Sequence, residues 1–285
     1  MRKASGKTHS DPNFLWSTPT VYRPDLLKGQ VALVSGGGSG IGRATALLLA
    51  RLGAQVVICG RTQARLDAVA KFARGKKVRV LPVATNIREP EQVAALLARV
   101  HAEFGRLDLL VNNAGGQFPG AAIDFPAKGW NAVINNNLNG TWYMMQAAAQ
   151  YWRKRRKPGS IVNIVVVGER GMPGVAHTVA ARIGVIGLSR TVAVEWAPLN
   201  IRVNCLAPGL TATEGLDVYP PEAKKEFPRA NPMRRPGTPM EIAQAVVYLG
   251  ASSGSFVTGE VLTVDGGGKL WGELWTAGRP AWFKG

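Results

Sequence analysis

The feature that most restricts what this chain can fold into is a rhythm. Between residues 31 and 264, short apolar runs rich in β-branched residues alternate with longer segments whose apolar residues recur every three to four positions. The short runs are VALVS (31–35), QVVIC (55–59), VRVLPV (78–83), LDLLVNN (107–113), GSIVNIVVV (159–167), IRVNCLA (201–207) and VLTVDG (261–266). Strands that are apolar along their whole length need helices on both faces, and successive strand–helix–strand units close with one hand. The pattern therefore predicts an α/β fold with a parallel, doubly wound sheet. The chain has 285 residues, 46% of them hydrophobic, and no linker-like stretch interrupts it, so a single domain around one large core is expected.

The first strand runs straight into SGGGSGIGRA, Ser35 to Ala44, which opens the first long helix. Gly36, Gly40 and Gly42, with Ser39 and Ile41 among them, permit a tight turn and close helix packing. They also let backbone N–H groups approach a pyrophosphate held at the helix N-terminus. A site for an NAD-type dinucleotide usually carries an acidic residue at the end of the second strand, to accept the ribose hydroxyls. Here that strand ends VVICGRT: Gly60 takes the acidic place and Arg61 follows. A missing carboxylate and an offered guanidinium favour a ribose phosphate, so the cofactor expected is NADP(H), with Arg43 as a second candidate phosphate partner.

The net charge of +17 suits nucleic acid, an anionic membrane surface or a polyanionic small molecule. No zinc-finger spacing or stacking aromatic motif accompanies the charge, so a nucleic-acid partner is not expected. The densest run, Arg153 to Lys157, follows an apolar helical pattern and precedes Pro158 and Gly159, where it reads first as a helix C-terminal cap and second as a phosphate or partner patch. Cys59 and Cys205 lie singly inside apolar runs, which argues against disulfides and metal clusters and for a reducing, cytoplasmic setting. No run approaches the roughly 18 apolar residues of a membrane span. Residues 1–28 form a basic N-terminal extension and 29–268 the domain. Within it, the proline-rich segment 211–239 reads as a mobile lid. The tail 269–285 carries Trp271, Trp275 and Trp282 and reads as an oligomer contact or an acyl-pocket wall.

Five motifs stand in a characteristic order: SGGGSGIG, NNAGG (112–116), NNLNG (136–140), IRVNCLAPGLTAT (201–213) and TGEVLTVDGG (258–267). Together they resemble the short-chain dehydrogenase/reductase family over residues 28–267. The resemblance implies a seven-stranded Rossmann sheet with helices on both faces and a homo-oligomer, a tetramer or dimer. It also implies Asn86 and Ile87 near the adenine, and Asn113, Ala114 and Gly115 along the ribose and nicotinamide. Pro208, Gly209, Thr211 and Thr213 would lie around the nicotinamide amide and diphosphate.

Members of that family hold a serine and then Tyr-x-x-x-Lys in the segment that here reads PGVAHTVAARIGVIGLSRT (173–191). By the resemblance, Thr178 stands in the tyrosine's place, Arg182 in the lysine's, and Val165 or Val166 in the serine's. An alkyl hydroxyl is a far weaker acid than a phenol, and a guanidinium stays protonated, so neither supplies the proton that ketone reduction needs. Reduction of a double bond conjugated to a thioester asks less of the protein: an oxyanion stabiliser, with Thr178 as donor and Arg182 as cation, and protonation from water. VNNAGGQF, SIVNIVV, VAHTVAARIGV and LPVATNIRE most resemble the peroxisomal trans-2-enoyl-CoA reductases, near the 2,4-dienoyl-CoA reductases. The expected substrate is thus an acyl thioester. Asn137 matches the family asparagine that kinks the long helix and is the third catalytic candidate, with a purely structural role as its alternative. Two other readings stay open: a nucleotide-binding partner subunit without catalysis, and a reductase of another substrate with a donor such as Tyr219. His177 is the only imidazole in the segment and reads as a packing residue or a donor.

Overall fold

The computed structural model describes residues 9–169, 171–219 and 221–270. The tryptophans of the tail, Trp271, Trp275 and Trp282, lie outside them. Seven strands form one sheet: β1 Val31–Ser35, β2 Gln55–Gly60, β3 Val80–Ala84, β4 Leu109–Asn112, β5 Gly159–Ile164, β6 Ile201–Pro208 and β7 Val261–Val264. Their spatial order is β3-β2-β1-β4-β5-β6-β7, and every neighbouring pair is parallel. The helices are α1 Pro12–Ser17, α2 Gly40–Arg51, α3 Gln63–Gly75, α4 Pro90–Phe104, α5 Ala127–Ile134, α6 Gly140–Arg155, α7 Ala176–Trp196, α8 Pro221–Glu226 and α9 Pro239–Gly250.

Alternation of side chains along each strand divides the core in two. Ala32, Val34, Val56 and Ile58 pack with α2, α3 and α9 on one face, whereas Val31, Leu33, Val57 and Cys59 pack with α4 and α6 on the other. Helix ends follow local chemistry. Pro90 opens α4 and Gly105 closes it at φ 71°, its N–H donating to the His101 carbonyl at 2.8 Å. At α9, Thr238 and Glu241 form a reciprocal capping box, and the Arg235 guanidinium beside Glu241 holds its carboxyl below the ordinary range.

One detail departs from the sequence reading and two extend it. Strand β5 stops at Ile164, so Val165–Val167 leave the sheet. The kink expected at Asn137 takes the form of one π-helical turn, Asn135–Asn139, between α5 and α6. The N-terminal extension is laid on the body: Leu15 is fully buried, Arg51 Nη1 donates to the carbonyls of Trp16 and Thr18 at 2.6 and 2.8 Å, and Tyr22 Oη donates to the Gln244 carbonyl at 2.9 Å. Both cysteines are free and buried, and among the described residues no helix is long and apolar enough to cross a membrane.

Candidate active site

Strand order reverses at β1, between β2 and β4, and in open α/β sheets ligands lie at the carboxyl ends of the strands beside such a switch point. The glycine turn sits there. Ser35 Oγ accepts from the backbone N–H groups of Asn113 and Ala114 at 3.1 and 3.0 Å, and Asn113 Nδ2 donates to the carbonyls of Ser35 and Gly36 at 3.1 and 3.2 Å. A Cβ on Gly42 would lie 2.2 Å from the Gly36 carbonyl oxygen, so only glycine lets α2 start this close to the turn. Asn113 thus ties the turn to the loop after β4, and it also lines the larger of two clefts.

Two clefts meet at Gly115. The smaller, about 150 Å³, is lined by Gly36, Ser39, Arg61, Arg65, Asn86, Ile87, Ala114 and Gly115, with no carboxylate among its lining residues. Asn86 spends its side chain on the rim, Oδ1 accepting from Arg88 Nε at 2.9 Å. Arg43 is not part of this cleft, contrary to the sequence expectation. It lines the neighbouring groove, pairs with Glu214, and donates to the Ser10 carbonyl, because the chain around Glu214 folds across the start of α2.

The larger cleft has a volume of about 770 Å³ and is lined by Ile41, Asn113, Gly115, Asn137, Val165, Val166, Thr178, Arg182, Pro208, Gly209, Thr211 and Tyr219 among others. Residues that the sequence separates by more than a hundred positions therefore share one wall. Arg182 is 6% exposed; its Nη2 donates to the Ala114 carbonyl at 3.1 Å, and burial pulls its guanidinium down to about 10. It lies directly over Gly115, where a Cβ would stand 2.0 Å from Nη2. Thr178 is 3% exposed, and neither its Oγ1 nor Arg182 Nη1 has a hydrogen-bond partner among the described residues.

Asn137 occupies the π turn and clasps Gly116: its Nδ2 donates to the Gly116 carbonyl and its Oδ1 accepts from the Gly116 N–H, both at 3.0 Å. His177 does not line the large cleft. It stacks on Phe125 with ring centroids 4.5 Å apart and meets Phe118 edge-on at 4.6 Å, while its Nδ1 accepts from the Thr178 N–H at 2.7 Å. Its surroundings are those of a packing residue. The two ends of segment 211–239 are tied together, Ala212 N–H donating to the Gly237 carbonyl and Gly237 N–H to the Leu210 carbonyl, both at 2.8 Å. Across the cleft mouth, Gln117 Nε2 donates to Tyr219 Oη at 2.7 Å.

Sequence reasoning missed three of these groups. Arg65 lies in the first turn of α3, four residues after Arg61, which precedes the helix, and a second cation this close to the strand end could have been read. Glu214, whose Oε2 accepts from the Gly40 N–H at 3.2 Å, and Gln117 gave no local signal, since their partners are 174 and 102 residues away.

The family model described as Enoyl-(Acyl carrier protein) reductase matches residues 36–269. The 3-oxoacyl-[acyl-carrier-protein] reductase FabG of Thermotoga maritima is 39% identical over 242 residues, covering 85% of this chain and 98% of that protein. The peroxisomal 2,4-dienoyl-CoA reductase of Pongo abelii is 38% identical over 257 residues, covering 88% and 87%. Among solved structures, the citronellol catabolism dehydrogenase (AtuB) of Pseudomonas aeruginosa superposes with a TM-score of 0.79 at 37% identity, over 88% of this chain and 100% of that one. With that fold, that turn and those relatives, the chain belongs to the short-chain dehydrogenase/reductase family of oxidoreductases.

Proposed function

We propose that the protein is an NADPH-dependent reductase of the 2,3 double bond of an enoyl thioester. The observation that carries the reading is that Thr178 and Arg182 both line the large cleft and each keeps a buried donor, Oγ1 and Nη1, with no hydrogen-bond partner among the described residues. A buried donor left unmade costs about 1–3 kcal/mol, so two on residues of one wall point to an oxygen that a ligand brings.

The residues present fit a dinucleotide. The turn at Gly36–Gly42 opens α2, whose Gly40 N–H is met by Glu214 Oε2 and whose next residue, Ile41, lines the large cleft, and Gly115 lines both clefts. Arg61 and Arg65 face the smaller cleft without a competing carboxylate, which supports the 2′-phosphorylated form. When bound, the reduced nicotinamide would supply a hydride to the β-carbon of the substrate.

The protein's own part is electrostatic. Thr178 Oγ1 and Arg182 Nη1 would donate to the thioester oxygen as it gains charge, a contribution on the order of 10²–10³ in rate per donor. Asn137 fixes the Gly116 backbone and Arg182 fixes Ala114, so the loop after β4 keeps its place while charge moves. Val165 and Val166 line the cleft without a hydroxyl to grip a ketone, and the α-carbon takes its proton from water. Exposed Ile183 and Val194 on α7, at 38% and 77%, support the further expectation of a homo-oligomer.

The test compares NADPH consumption with trans-2-enoyl-CoA and with 3-oxoacyl-CoA of the same chain length. Turnover of the enoyl ester alone supports the reading, and turnover of the oxo ester alone sinks it. Tight NADPH binding with no turnover of either ester favours the second reading, a cofactor-binding subunit without catalysis. That reading draws on Arg182 already bonding the Ala114 carbonyl.

A further inference from the structure

The parallel topology does something to the charge that the sequence does not show. Every strand starts, and every crossover helix ends, at the edge of the sheet opposite the clefts. The two densest cation runs, Arg74–Arg79 and Arg153–Lys157, leave α3 and α6 at that same edge, flanking the entries to β3 and β5. Strands β3 and β5 are four places apart, so the runs are separated by roughly 20 Å across the sheet. The runs hold nine cations, and among the described residues only Arg79 has a carboxylate partner, Glu103.

Helix C-termini favour cations, but that preference fades within the last turn, and here the charge continues past both helix ends. Two of these residues also hold backbone conformations that suit glycine: Lys77 turns the chain out of α3 at φ 61°, and Arg156 turns it out of α6 at φ 52°. Two of the charged heads lie over aromatic rings, Lys76 Nζ 5.4 Å from the centroid of Phe72 and Arg155 Cζ 4.0 Å from that of Tyr151. A groove of about 410 Å³ along edge strand β3 is lined by Arg74, Lys77 and Arg79, wide enough for a phosphate headgroup.

We propose that this edge is a docking surface for an anionic phospholipid bilayer. Neither run exposes a large apolar or aromatic side chain, which removes the anchors a protein interface uses and the platforms on which nucleic-acid bases stack. Phosphate-rich recognition by charge alone remains, spread over a broad edge. Docking there leaves the clefts, at the other end of every strand, open to water.

The full chain is sedimented with vesicles of equimolar phosphatidylcholine and phosphatidylserine, with phosphatidylcholine vesicles alone, and at low and high salt. The expected result is salt-sensitive binding to the serine-containing vesicles only. Removing two charges as Lys77→Gly/Arg156→Gly weakens it roughly 25-fold, at about fivefold per charge. Because glycine suits both turns, this variant melts no lower than the parent; if it fails to fold, Lys76→Gln/Lys157→Gln replaces it. The control, Lys128→Gln/Lys225→Gln, removes two exposed cations outside the two runs and keeps the binding. Binding that is absent, or lost equally in both variants, overturns the proposal. So does a tighter affinity, per phosphate, for random duplex DNA than for the vesicles.

Discussion

Gly60 is the position at which the cofactor reading can be broken by one side chain. It ends β2 at the smaller cleft, and a Cβ built on it meets nothing nearer than Leu66 Cδ2 at 3.7 Å, an ordinary contact. Its carbonyl still accepts from the Thr85 N–H at 2.9 Å whatever the side chain, so Gly60→Asp should fold. The new carboxylate would stand beside Arg61, in the place where a ribose carrying a 2′-phosphate is proposed to sit. At about 5 Å, with an effective dielectric near 40 for this open site, each pair of unit charges repels by about 1.7 kcal/mol. A phosphate carrying about −1.5 charge brings the loss to roughly 2.5 kcal/mol, a weakening of NADPH near 70-fold. NADH, whose free hydroxyl can donate to the carboxylate, should instead tighten by up to about tenfold. The assay is titration of each dinucleotide against protein fluorescence, parent beside variant, with no substrate needed. Equal changes for both dinucleotides, or an unmoved preference, would refute the assignment of the 2′-phosphate to the Arg61 side of the cleft.

Arg202 should be a stability residue. Its Nη1 donates to the carbonyls of Leu249, Gly254 and Val257 at 2.8, 2.7 and 3.2 Å, and Arg202→Met should cost about 3 kcal/mol, read as a melting point lower by roughly 6–12 °C. Burial pushes the thiols of Cys59 and Cys205 up to about 12 and about 11, so a thiol reagent at mildly alkaline pH should label neither in the native protein and both after denaturation. For Arg182, burial lowers the folded-state value to about 10, which means that folding disfavours the cation: the cost is fully present below that pH and is relieved as pH rises through it. Enoyl reduction supported by the cation should therefore hold steady from neutral pH and fall as pH passes about 10, and Arg182→Met should lose that limb of the profile. Thr178→Val should lower kcat by about 10²-fold with little change in NADPH affinity, measured by steady-state kinetics beside the fluorescence titration.

The sheet and its helices were legible because strands buried on both faces must be apolar throughout, and seven such runs bound the seven strands to within a few residues. The glycine turn was legible for a similar reason: Gly42 is the residue whose Cβ has no room. Strand β5 was overread because Val165–Val167 continue its β-branched run, yet in three dimensions they form the cleft wall, a role no local pattern marks. Sequence proximity places Arg43 beside the glycine turn but does not show its pairing with Glu214, 171 residues away. Sequence alone also determined that Gly60 and Arg61 close β2 without a carboxylate, and that Thr178 and Arg182 stand one helical turn apart. That both line one cleft and keep an unpartnered donor, that Arg182 lies over Gly115, and that two cation runs nearly eighty residues apart share one edge were decided only by the tertiary structure. The physical reason is common to all three. Pairing, burial and proximity across a parallel sheet belong to contacts between distant segments, and the periodicity of a segment records only which of its faces is covered.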